Sequence, residues 1–300
     1  MKRAVSISLG SVKRDKKVTI TLLGEEISIE RIGTNGDVEK ATQLYNELDG
    51  KVDAFGVGGI DLGVTFAGHH YPLYTALKLV AGVKHTPVVD GEGLKLTLER
   101  GLAQFIEQEI GDNVQPKRVL ITMGVDRYGS AVSFDEAGYE LLFGDLGFGL
   151  GLPIPIRSMH KLRLVGRILM PIVGRMPLEF LYPTGEKQEE IVPKFGKWYN
   201  WATVISGDCL YIKQHMPDHL EGKVIVTNTT TTADVEAFRE RGVRYLVTST
   251  PRLEGRSFGT NMMESALVAV AGKGRPLTTD ELEDMIAQLG LKPTLQRLNE

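Results

Sequence analysis

Cysteine is almost missing from this chain. The single Cys209 among 300 residues excludes an intrachain disulfide and fits a reducing cytoplasm. Positive charge is not in excess either. Thirty-five Lys and Arg against 38 Asp and Glu leave a net charge of −3, which argues against a general nucleic-acid binder. Long apolar runs are lacking: the most apolar stretch, 162–173, is interrupted at Gly166 and Pro171 and followed by Gly174, so no spanning helix is expected. The start, Met1-Lys2-Arg3, enters an alternating strand rather than an apolar core, so no signal peptide is visible and a cytoplasmic location is expected. Neither an internal repeat nor a low-complexity tract is present. Metal-ligand spacing is lacking too. His69-His70 is the one suggestive pair, but adjacent side chains point in different directions, so no metal is expected.

What is present reads as an ordinary soluble α/β chain. Hydrophobic residues make up 42% and charged residues 24%, and 34 glycines cluster in loops that follow apolar runs. Period-two alternation predicts strands at Ala4 to Leu9, Val18 to Leu22 and Ile27 to Ile32, with Gly24-Glu25 as a hairpin turn. Asp37 is positioned to cap a helix reaching about Leu48, a strand covers Val52 to Val57, and a helix is expected from Tyr74 to Ala81. Three later apolar runs, at 202–205, 223–226 and 244–247, each end in small polar residues. They end in Ser206-Gly207-Asp208, Thr227-Asn228-Thr229 and Thr248-Ser249-Thr250, where a parallel sheet would place its ligand. Thr279-Asp280-Glu281-Leu282 starts a surface helix.

The densest signal lies between Thr86 and Asp145. An apolar run ends in Asp90-Gly91-Glu92-Gly93 and a helical segment carries Leu94 through Ile106. The β-rich run Arg118 to Met123 then opens into Gly124-Val125-Asp126-Arg127-Tyr128-Gly129-Ser130, a short helix, and a second apolar run ending at Asp145. Strand, glycine turn, helix, strand and acid follow the order of a dinucleotide-binding unit. Gly124, Gly129 and Ser130 would face the pyrophosphate, and Asp145, 21 residues past Gly124, would accept from a ribose. No basic residue adjoins Asp145, which favours NAD over NADP. Asp126 breaks the pattern, because its charge opposes a phosphate.

Asp90-Gly91-Glu92-Gly93 followed by a helix and the first nucleotide-domain strand resembles the shikimate/quinate dehydrogenase family, whose Asn-Thr-Asp-Gly-x-Gly segment closes the substrate domain. The stretch Ile225 to Thr230 is similar to that family's Asn-Ala-Thr-Ser cofactor loop, which assigns Asn228, Thr229 and Thr230 to the cofactor. The stretch Phe258 to Ala266 is similar to its closing Gly-x-x-Met-Leu-x-x-Gln-Ala helix, which sets Asn261 and Glu264 near the substrate. The match covers roughly residues 50 to 272, in order of elements. It implies a two-domain α/β fold: an N-terminal substrate domain over residues 1–115, then a Rossmann-like doubly wound parallel sheet over 116–275, with an insertion at 147–201 and a helical tail at 276–300. The family's catalytic lysine segment has no counterpart, since Phe55 to Asp61 holds no lysine. The family's Asp falls on Asp90, so the resemblance makes Asp90 the catalytic-site residue that holds the substrate hydroxyl, with Lys95 or Lys78 as proton-transfer partner by location alone. As a plain alternative, Asp90 caps the following helix.

Two further features stand outside the resemblance. Arg252 and Arg256 sit on a glycine-flexed turn past a strand end, where they suit a carboxylate clamp or, equally plainly, a pair of surface salt bridges. Lys187 is a weaker candidate for the same work. The insertion carries Arg157, Lys161, Arg163, Arg167 and Arg175 among apolar residues, with no acid between Asp145 and Glu179. Such a stretch either packs as a buried or dimer-forming helix pair or lies against a membrane surface or an anionic, partly apolar ligand.

These readings lead to an NAD(P)-dependent dehydrogenase acting on a hydroxylated or carbonyl-bearing carboxylic acid. An acyl-substrate reductase and a non-catalytic ligand-binding or regulatory protein are the alternatives. Its expected partner is a small anionic substrate.

Overall fold

The computed structural model of the protein describes residues 1–178, 190–250, 252–253 and 256–300, with 252–253 and 256–257 described by backbone alone. It is an α/β protein of two compact units, each built on a sheet that is mostly parallel. The first comprises Met1–Thr97, Leu169–Gln188 and Leu253–Leu291; the second comprises Leu98–Ile168, Glu189–Arg252 and Lys292–Glu300.

In the first unit five strands lie in the order β2-β3-β1-β4-β7. They are β1 (Lys2–Ser8), β2 (Lys16–Leu22), β3 (Glu25–Gly33), β4 (Ala54–Gly58) and β7 (Val88–Val89). The small hairpin β5 (Gly63–Phe66) and β6 (His69–Pro72) stands apart from them. Only β2 runs antiparallel, as the outer arm of the expected hairpin with β3. Its Val18, Ile20 and Leu22 are buried while the intervening residues are exposed or half-buried, the alternation of a strand covered on one side. The central strands β1 and β4 have helices on both faces and read as nearly continuous buried runs. On one face lies the helix Val38–Leu48, capped by Asp37; its Tyr45 hydroxyl donates to the carbonyls of Ile7 and Gly56. On the other face the helix Thr260–Ala271 packs across β1, β3 and β4 with Met262, Met263, Ala266 and Leu267.

The second unit has β8 (Arg118–Ile121), β9 (Glu140–Phe143), β10 (Val204–Ser206), β11 (Val224–Thr227) and β12 (Tyr245–Thr248). They lie in the order β9-β8-β10-β11-β12, all parallel. After the short pair β13 (Arg252–Leu253) and β14 (Arg256–Ser257), the last strand, β15 (Thr294–Arg297), adds antiparallel to β12. The chain first steps outward from β8 to β9 and then reverses to β10. The topological switch point, where open α/β sheets bind ligands, is thus between the ends of β8 and β10.

Two expectations differ from what is observed. The helix expected from Leu94 to Ile106 is three pieces: Glu92–Leu96, a 3-10 turn at Leu98–Gly101, and Leu102–Ile110. At the break the Thr97 hydroxyl bonds the Gly93 carbonyl at 2.7 Å, a back-bond that bends helices, and the boundary between the units falls immediately after it. The division therefore comes at Thr97 rather than near Pro116. The chain also returns: helix Thr260–Ala271 belongs to the first unit, because its apolar face completes that unit's core. The insertion holds the helices Met159–Val173 and Gly196–Trp201. Among the described residues no helix is long and apolar enough to cross a membrane.

Candidate functional site

In the first unit, polar side chains gather beyond the carboxyl ends of β4 and β7. Strand β7 ends at Val89, and Asp90 follows. One carboxylate oxygen of Asp90 accepts from the Leu62 N–H at 2.7 Å, and the other accepts from Glu92 N–H at 3.1 Å. Asp90 thus straps the loop after β4 to the start of the helix Glu92–Leu96. Gly91 between them has φ +97, and a Cβ there would lie 2.5 Å from the Thr260 hydroxyl, so this corner requires glycine.

The strap positions an ion pair. Lys95, 5% exposed, donates to Asp61 at 2.7 Å. Sequence reasoning pairs Asp90 with a lysine; the structure gives Lys95 to Asp61 instead and makes Asp90 the neighbour that holds the Asp61-Leu62 backbone. Lys78 is exposed on the 3-10 turn Lys78–Val80 and has no bond to Asp90 among the described residues. Asp61 carries a signal that could have found it, an acid just past the glycine-rich end of an apolar strand.

A buried and a half-buried glutamate complete the cluster. Glu264 accepts from Gly93 N–H at 3.1 Å, and burial, followed by the charge of Asp90, pushes its pKa up to about 8. Glu264 is thus a neutral acid at pH 7, bonded to the first turn of helix Glu92–Leu96. Glu92 is also raised, by burial first and Asp90 second, with Thr65, His70 and Lys95 opposing. His70, 3.5 Å from Glu92, shares a 2.9 Å contact with the Thr65 hydroxyl. Asn261 donates to the Ser6 hydroxyl at 2.6 Å, a bond that ties helix Thr260–Ala271 to β1.

In the second unit the residues read as a nucleotide site take other work. Both oxygens of Asp145 accept backbone N–H groups of the glycine turn, from Gly124 and Val125 at 2.9 Å each. A Cβ on Gly124 would meet the Phe143 ring at 2.5 Å and Leu162 at 3.1 Å, so its open face is filled by side chains. Burial raises the Asp145 pKa to about 6 against those two bonds, with the Asp126 charge adding to the rise. A pyrophosphate needs free N–H donors and close backbone approach. Here the donors are held by a carboxylate and the approach by an aromatic ring, so this turn does not fit the phosphates of NAD. Gly129 and Ser130 are buried in the helix Tyr128–Glu136, and Ser130 shares a 3.0 Å hydroxyl contact with Ser206 on β10. The Asn228 carbonyl oxygen accepts from Thr229 N–H and the Thr227 hydroxyl, and its amide donates to Asp208 at 2.8 Å. Asn228 therefore pins its own loop. Thr229 and Thr230 are half-buried beside it, ahead of a helix capped by Thr231 and Asp234.

At the switch point itself stands Arg127. It reaches Glu99 at 2.6 Å, Asp126 at 3.2 Å and Asp208 at 3.3 Å, and Glu99 is buried as deeply as the arginine. In the sequence Asp208 stands out as a strand-end residue and Arg127 only as part of the glycine turn, while nothing marks Glu99, because the three are distant in the chain. Cys209 is buried below this network as a core residue. The side chains of Arg252 and Arg256 lie outside the described residues, as does Lys187.

Two α/β units, each with polar residues beyond the carboxyl ends of a parallel sheet, define the class of protein. The chain belongs to the family described as a domain of unknown function (DUF8754), whose model matches residues 93–298; a second domain of unknown function (DUF8753) matches residues 3–90. No curated protein matches it. Among solved structures it is similar to an NAD-dependent malic enzyme from Thermotoga maritima, at 12% identity over 95% of this chain and 76% of that one, with a TM-score of 0.39. It is similar also to a glucose-galactose binding protein from Geobacillus stearothermophilus, at 10% identity over 99% and 97% of the two chains, TM-score 0.38. Likenesses this slight carry no argument about ligand or reaction.

Proposed function

We propose that this chain is an enzyme that moves a proton on a hydroxylated or carbonyl-bearing carboxylic acid, as the resemblance to shikimate/quinate dehydrogenases implies, with Lys95 and Asp61 as its acid–base pair. The carrying observation is the 2.7 Å contact between the Lys95 amine and the Asp61 carboxylate, on a loop held by Asp90. An ammonium shielded from water and bonded to a carboxylate can release its proton to an adjacent alkoxide or take one back from a hydroxyl, while the pair keeps the charge within it. Arg252 or Arg256 is the proposed holder of the substrate carboxylate, on the sequence of their turn alone. The resemblance makes NAD the expected hydride acceptor, with NADP less expected. The Gly124 turn does not fit its pyrophosphate, and the proton transfer between Lys95, Asp61 and the substrate hydroxyl does not depend on that turn.

The test is turnover and calorimetric binding with quinate, shikimate and simpler hydroxy acids, each with NAD or NADP. Lys95→Met and Asp61→Asn should bind the acid yet lose turnover by at least about a hundredfold, the usual scale of a lost general acid or base. Full turnover in both variants ends the reading. A second reading, a ligand-binding protein without catalysis, is supported by Asp145 in the glycine turn. Acid binding with no turnover under either nicotinamide would favour it.

A further inference from the structure

We propose that the exposed face of the helix Met159–Val173 docks on an anionic lipid surface. Leu164, Ile168 and Ile172 are 54%, 61% and 60% exposed, values more typical of lysines than of large aliphatic residues. Spaced by four residues, they lie within roughly 80° of one another around the helix axis and form one stripe. The opposite face, with Leu162 and Met170, is buried, so the helix is already anchored and its stripe is left in water. Contiguous apolar exposure of this kind marks an interaction surface.

Charge selects the partner. Lys161 lies in line with the stripe at its N-terminal end, and Arg163 and Arg167 flank it along one side; all three are exposed. Arg163 is steadied by its 2.8 Å bond to the Tyr128 hydroxyl and keeps its charge at the surface. No Asp or Glu occurs between Asp145 and Glu179, on a chain whose net charge is −3. An apolar centre with basic margins is the form of a helix that lies in a membrane interface, its stripe among the acyl chains and its cations against anionic headgroups. A second copy of the chain fits less well: a two-fold contact sets the same patch against itself and brings its like charges together. The helix, 15 residues long with Pro171 inside it, can lie on such a surface without spanning it.

Sedimentation of the full chain with phosphatidylcholine vesicles, with and without phosphatidylserine, tests this. The protein should pellet with the mixed vesicles, not with phosphatidylcholine alone, and pelleting should fall as salt rises. Lys161→Glu with Arg167→Glu, and separately Leu164→Gln with Ile168→Gln, should each weaken binding at least about tenfold. Melting temperatures should stay near that of the parent chain, because all four side chains face solvent. No pelleting with the anionic vesicles overturns the proposal, as does equal pelleting with both kinds or wild-type binding by the charge-reversed variant. A concentration-dependent dimer that disappears in Leu164→Gln with Ile168→Gln also overturns it and gives the face to a second copy.

Discussion

Asp145 and Gly124 are bonded end to end: the carboxylate at the close of one strand accepts the backbone N–H at the turn of its neighbour, at 2.9 Å, and its second oxygen takes the next N–H, of Val125. The turn is a place for an anion, and the chain fills it with its own. Asp145→Ala leaves those two donors without their acceptor and should cost about 1–3 kcal/mol in chemical denaturation. The same variant should take up inorganic phosphate or NAD at this turn more strongly than the parent chain, measured by calorimetry. A parent chain that binds NAD as tightly as the variant would show that the turn is no obstacle.

Glu264 makes stability depend on pH in a defined direction. Its pKa is raised from 4.5 to about 8, so in the folded chain it holds a proton that the unfolded chain releases. Its contribution is fully present below pH 4.5 and is lost as pH rises through about 8. Asp145, raised from 3.8 to about 6, acts in the same sense over a lower window. Urea unfolding at pH 5, 7 and 9 should show falling stability, and Glu264→Gln should flatten the part above pH 5 by roughly 2–4 kcal/mol.

Lys95 and Asp61 should prove coupled in a double-mutant cycle. Each single change leaves a largely buried group without its counterpart and should cost roughly 2–4 kcal/mol. The combined Lys95→Met, Asp61→Asn chain should cost less than the sum of the two. Additive losses in thermal or urea melts would mean that the pair does not interact as a unit.

Arg127 contacts three carboxylates, those of Glu99, Asp126 and Asp208. Arg127→Met should destabilise the second unit by about 3–5 kcal/mol, the scale of an uncompensated buried charge. Adding Glu99→Gln to it should restore part of that loss. Hydrogen exchange at the ends of β8 and β10 would report it locally.

Much of the fold is legible in the sequence because its cause is local. Alternation at Val18 to Leu22 marks a strand with one wet face, and Asp37 marks a helix start by its own side chain; the last helix is capped by Thr278, one residue before the Thr279 start read from the sequence. Apolar runs ending in small polar residues at Ser206, Thr227 and Thr248 are the strands of the second parallel sheet. The last strand is harder to read. Thr294–Arg297 is half-buried and polar, and becomes a strand only because β12 offers an open edge. The break at Thr97 depends on whether a threonine hydroxyl turns back to its own helix, which periodicity does not report.

From residue order alone come the strands and helices, their mostly parallel pairing, the glycine corner at Gly91 and the basic, acid-free stretch before Glu179. Each follows from the chemistry of neighbours a few positions apart. Only the tertiary structure decides that Lys95 meets Asp61 and not Asp90, that Asp145 occupies the glycine turn, and that Arg127 gathers Glu99 and Asp208. Those partners are 34, 21, 28 and 81 residues apart, and packing of whole elements brings them together. A side chain's identity states what it can bond, whereas the fold states which of several equally suitable partners lies within hydrogen-bond reach.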